Sequence, residues 1–168
     1  MNETEEQTPN ILSDNTIVDE MLAVIGVEEE NKDSVRQADG SLIIPIGNRA
    51  VSVEHQTEIN SVAIIVFIAD ISGLTLPTIM QDLLTLNAHP KETGALFFGM
   101  VDRKIVGTLL MPEIYADARN LAQAVIAVAD SASTWEQVIE TAVDQTVVEA
   151  LEKSEHAAFD IHKSGGYV

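Results

Sequence analysis

The spacing of apolar residues divides the chain into helix-like and strand-like segments. Residues 1 to about 12 are polar and without period, which predicts a disordered acidic leader. In TIVDEMLAVIG, Ile17, Val18, Met21, Leu22 and Ile25 form the stripe of one helix face. Thr16 with Asp19 resembles a capping box, and Gly26 suits a C-terminal cap. SLIIPI then reads as a strand, Gly47-Asn48 as a two-residue hairpin turn, and RAVSVE as the returning strand. Pro45 cannot donate to a ladder, so its strand belongs at an edge or its proline at a bulge. After the polar HQTEIN comes SVAIIVFIADI, a third strand with apolar residues of both parities.

GLTLPTIMQDLLTLN places Ile79, Met80, Leu83, Leu84 and Leu86 on a helical stripe, with Pro77 in the first turn and Asn87 as a left-handed cap before Pro90. GALFFGMV and KIVGTLLM form a hairpin around Asp102-Arg103. From about Tyr115, residues Leu121, Val125, Val128, Ala132, Trp135, Ile139 and Ala142 mark the seam of a long helix. Ser131, Ser133 and Thr134 lower propensity midway and predict a kink or a restart there. Val147 and Leu151 extend the pattern, and KSGGYV is expected to fray. The order α-β-β-β-α-β-β-α predicts an α+β fold, an antiparallel sheet of about five strands with three helices. Residues 13–142 form the domain, and 143–168 a helical extension with a frayed tail.

Strand 61–71 has Val62, Ile64, Val66 and Ile68 on one parity and Ile65, Phe67 and Ile71 on the other. In strand 95–101, Leu96, Phe98 and Met100 oppose Phe97 and Val101. A soluble antiparallel sheet normally gives water one polar face. Three helices, one of them short, do not cover both faces of this sheet. The uncovered apolar area, at about 25 cal/mol per Å², predicts self-association or a protein partner.

Charge narrows the partners. The chain holds 27 acids against 9 bases, a net charge of -18, which repels phosphate backbones and anionic membranes. Ten of the acids lie in residues 1–33, where Lys32 is the one base. There is no cysteine, so disulfides, thiolate metal sites and cysteine nucleophiles are excluded. The acidic MNETEEQTPN is unlike a signal peptide, and the apolar run VAIIVFIA is far short of the ~20 residues of a membrane span. These features predict a soluble, cytoplasmic protein that binds neither nucleic acid nor membrane.

Candidate chemistry is sparse. His89, Lys91 and Glu92 have the residue types of a general base and its tuning neighbours, but adjacent loop residues rarely converge on one substrate atom. His156, Asp160 and His162 offer metal-ligand atoms without a common helical face, and His55 lies apart in a loop. There is neither GxGxxG nor GxxxxGK[ST]. Trp135 is expected to anchor the core, as are Met21, Met80, Met100 and Met111. No enzyme, cofactor or metal site is predicted.

The order and spacing of several motifs resemble the class I chaperones of type III secretion, the Tir chaperone or CesT-like family. The likeness lies in MLAVIGV, in SLIIPIGNRAVSVE, and above all in LLTLNAHPKETGALFFGMVDRKIVGTLLMP followed by ASTWEQVIE. Leu83, Leu84, Asn87, Gly94, Asp102 and Trp135 stand where the family commonly carries its helix end, loop glycine, acidic turn and late tryptophan. The resemblance implies a curved sheet and a non-enzymatic cytoplasmic homodimer. Its partner would be the extended N-terminal segment of a secreted effector, kept export-competent. It further implies a dimer interface at Met80, Leu83, Leu84, Phe97, Phe98 and Met100, and effector contacts at Ile17, Met21, Ile44, Ile46, Val51 and Val53. The 26 residues after Ala142 exceed the usual end of the family. YbjN-like regulatory proteins share the fold and imply the alternative, an interaction module for a folded partner.

Overall fold

The computed structural model describes residues 10–71, 77–91, 93 and 95–164, and the side chains among them except at 77–80, 82 and 142–164. Ile11–Ser13 forms a 3-10 turn, the Asn10 side chain accepts from Leu12 N–H at 2.9 Å, and Leu12 is buried in the core, inside the segment expected to be leader. Helix α1 spans Asn15–Ile25. Its N-cap is Asp14, whose carboxylate accepts from Thr16 N–H at 2.9 Å. Asp19, expected in a capping box, pairs instead with Arg36 at 3.0 Å. Gly26 closes the helix in the left-handed region at φ 91°, as its position predicts. A single-turn helix α2, Lys32–Val35, follows and was not read from the sequence.

Five strands form one antiparallel sheet: β1 Leu42–Ile46, β2 Arg49–Gln56, β3 Ser61–Asp70, β4 Phe97–Val101 and β5 Lys104–Pro112, in the spatial order β1-β2-β3-β5-β4. Pro45 sits on edge strand β1, where its missing N–H breaks no ladder. Asp102 and Arg103, at φ 48° and 63°, make the tight β4–β5 turn, which needs two positive-φ residues to match the twist of the strands. Helix α3, Pro77–Asn87, packs beside β4.

Helix α4 runs from Ala118 to Ser164 without interruption. The expected break at residues 131–134 is absent because the hydroxyl at its centre is satisfied inside the helix. Ser133 Oγ donates to the Ala129 carbonyl at 3.5 Å and accepts from Arg49 Nε at 3.2 Å. Among the described residues no helix is long and apolar enough to cross a membrane.

Helices α1 and α4 pack together over one face of the sheet, with α4 lying on β3. Register shows which residues share that face: Leu42 and Ile44 oppose Val53 and Val51, which oppose Ile64 and Val66, and Val66 opposes Gly107. All five of the β1–β3 partners named with Leu42 are buried, as are Val18, Met21 and Leu22 of α1 and Leu121, Val125, Val128 and Ala132 of α4. A bulge between Phe67 and Ala69 inserts Ile68, which is also fully buried. A methyl on Gly107 would stand 3.0 Å from Ile68 Cδ1, so the glycine leaves room for that inserted side chain.

Candidate partner-binding surface

Among the described residues the second sheet face is open. By register it carries Ile43 of β1, Ile65 and Phe67 of β3, Val106, Thr108 and Leu110 of β5, and Phe97, Gly99 and Val101 of β4. Ile43, Phe67, Phe97, Val101 and Leu110 are all exposed, Val101 at 58%. Charge is confined to its margins: Glu54 on β2, and Asp70 with Lys104 at the far end of the β3–β5 ladder. In a chain of net charge -18, a strip of three strands without a charged residue between those ends is suited to protein contact rather than to water. The two-sided apolarity seen in β3 thus has a simple structural form. One parity is core, and the other grades from buried Ala63 through half-buried Ile65 to exposed Phe67.

The residues of the expected dimer interface divide three ways. Leu84 of α3 is 65% exposed, and Phe97 and Met100 of β4 are also exposed. Leu83 and Phe98 are core, at 5% and 6% exposure, because α3 and α4 cover them in the same chain. The Phe98 ring meets Trp135 of α4 edge to face at a centroid distance of 4.9 Å. The Met80 side chain lies outside the described residues.

The residues of the expected effector-contact set lie mostly beneath the surface of the single chain. Met21, Ile44, Val51 and Val53 have no exposed area and belong to the one buried cluster that also holds Val18 and Leu22 of α1. Ile17 and Ile46 are partly buried against the same core. What this end of the molecule does present is exposed Val24 and Ile43, and an open hollow of about 460 Å³ between the end of α1, α2 and the end of β1. Ile25, Val27, Val35, Pro45 and Ile46 give it apolar walls, and Glu28, Asn31 and Ser34 add polar groups.

Three polar arrangements were not legible in the sequence. Arg49, near the β1–β2 turn, reaches α4: it pairs with Glu136 and also donates to Ser133 Oγ and to the Phe67 carbonyl at 3.2 Å each. It ties the long helix to two strands. His55, expected in a loop, is in β2 with its side chain 1% exposed. Its Nε2 is 3.3 Å from a Glu113 carboxylate oxygen, and its Nδ1 has no partner among the described residues. Asn87 reaches β4 with both ends of its amide.

The residues with enzyme-like chemistry do not assemble. His89 and Lys91 are exposed on the turn after α3, and Glu92 lies outside the described residues. The side chains of His156, Asp160 and His162 also lie outside them. Among the described residues no three His, Asp or Glu side chains gather as a metal site.

No protein-family model and no curated protein matches this chain. Solved structures do. A chain of the ExsC–ExsE complex superposes with a TM-score of 0.61 at 17% identity, covering 76% of this chain and 95% of that one. A chain of the HopA1–SchA chaperone–effector complex superposes with a TM-score of 0.59 at 12% identity and the same coverages. The five-stranded open antiparallel sheet with its helices is the fold this chain shares with these two solved chains.

Proposed function

We propose that this chain is a non-enzymatic, dimeric chaperone of type III secretion that holds the extended N-terminal segment of a secreted effector in the cytoplasm. The observation that carries the reading is the apolar open face of β3, β5 and β4, with charge confined to its margins, on a fold shared with a chain of a chaperone–effector complex. In this reading the dimer contact comprises Phe97 on the open face, Met100 exposed on the other parity of edge strand β4, and Leu84 and Met80 of α3, with Leu83 and Phe98 in the core behind them. Two chains of charge -18 associate only where charge is absent, and the β3–β5–β4 surface meets that condition. The effector segment takes the other end, where Val24, Ile43, Ile17, Ile46 and the hollow walled by Ile25, Val27 and Val35 offer separate apolar footholds. Separated footholds suit an unfolded segment, whose side chains can reach several in turn.

The test is to purify the chain with its bound partner from its own cells and to map the protected region by limited proteolysis. Protection of an N-terminal segment that is unfolded when isolated is the expected result. Protection of an intact folded domain contradicts it and favours the regulatory module with the same fold.

A further inference from the structure

Asn87 ends α3, yet its side chain does not cap that helix. Its Oδ1 accepts from Phe98 N–H at 2.7 Å, and its Nδ2 donates to the Phe98 carbonyl at 2.9 Å. A primary amide has the acceptor and donor of a peptide group, so this pair supplies what one residue of a neighbouring antiparallel strand would supply. β4 is the outermost strand on this side, with β5 its one strand partner. Its sequence, FFGMV, contains no charge and no proline, the two features that commonly keep an edge from pairing with another chain. The opposite edge is protected in other ways: Pro45 has no N–H, Arg36 bridges Leu42, and Gln37 N–H donates to the Ser41 carbonyl at 2.9 Å.

We propose that Asn87 is the guard of the β4 edge, a side chain standing in for a strand, which prevents β4 from pairing with β4 of a second copy. Copies then meet through side chains rather than through a continuous sheet. The register of the forbidden pairing follows from the ladder. Phe98 turns its N–H and carbonyl outward to Asn87, and antiparallel alternation makes Met100 the next residue to do so. A twofold axis at Gly99 would set Phe98 opposite Met100 of the second copy and the reverse, with the two Gly99 residues facing at about 4.5 Å between Cα atoms. That separation accepts a disulfide. A Cβ on Gly99 has a single neighbour within 4 Å, Val106 Cγ2 at 3.7 Å, so a cysteine fits there. The chain has no native cysteine to compete.

The experiment compares Gly99→Cys alone with Gly99→Cys combined with Asn87→Ala under mild oxidation, and follows amide exchange at Phe98 in parallel. Removal of the amide is expected to raise the rate of disulfide-linked dimer formation, and the exchange rate at Phe98, by about tenfold or more. Asn87→Leu, which keeps bulk and helix propensity without hydrogen bonds, replaces Asn87→Ala if that variant does not fold. Asn87→Asp retains the acceptor and places a negative charge on each edge, so its cross-linking stays at the level of Gly99→Cys alone. Equal cross-linking with and without Asn87, or unchanged exchange at Phe98 on its removal, overturns the proposal. The outcome is independent of whether an effector binds.

Discussion

The two faces of the sheet are built from the same residue types and have opposite roles. Ile64 and Ile65 are neighbours in β3, and so are Phe97 and Phe98 in β4, yet one member of each pair is core and the other turns to the open side. The difference is made by what packs above them. α1 and α4 cover the parity of Ile64 and Phe98, and the described helices leave the parity of Phe97 uncovered. Hydrophobicity therefore reports that a residue belongs against something, while the layer above it decides whether that something is its own chain. On the covered face a substitution acts on folding, and on the open face it leaves the core in place and tests the proposed association.

That contrast orders the expected effects. Phe98→Glu has the largest, because it puts a carboxylate under Trp135 in the core; loss of cooperative unfolding by circular dichroism is the expected result. Ile64→Ala, on the same face, should lower unfolding free energy by about 2–5 kcal/mol in urea titrations. Phe67→Ala on the open face should cost clearly less than Ile64→Ala, about 1–2 kcal/mol, since 43% of Phe67 is already exposed. Arg49→Ala leaves Glu136 without its partner and frees the Phe67 carbonyl, at a cost of about 1–3 kcal/mol, with hydrogen exchange rising first where α4 crosses β2.

The smallest effect is electrostatic. Asp39, in the turn before β1, accepts from both the hydroxyl and the N–H of Ser41, at 2.7 and 3.0 Å, and these bonds hold its carboxyl below the ordinary value of 3.8. A depressed pKa contributes stability above the unfolded value and loses it as pH falls through the folded one. Asp39→Ala should therefore soften the acid limb of the stability profile below about pH 4 and leave neutral pH nearly unchanged.

Much of the fold was legible because its signals are local. The hairpin at Gly47-Asn48, the positive-φ turn at Asp102-Arg103, the glycine cap at Gly26 and the α4 seam each depend on a few adjacent residues. Which face of the sheet is core was not legible, since β3 is apolar in both parities and the bulge at Ile68 shifts the alternation partway along it. The burial of Met21, Ile44, Val51 and Val53 was not legible for the same reason: apolar residues near an expected groove can line it or lie beneath it, and in this chain they are fully buried. The roles of Asn87, Arg49 and His55 depend on partners 11, 87 and 58 residues away, beyond the reach of any periodic pattern.

The most direct test of the open face as an association surface is the mass of the chain and of its Phe97→Glu variant by light scattering, with thermal unfolding followed on both. The account predicts that the unaltered chain is a dimer and that Phe97→Glu is a folded monomer with a retained cooperative transition. An unaltered chain that is already a monomer, or a Phe97→Glu variant that remains a dimer, would contradict it.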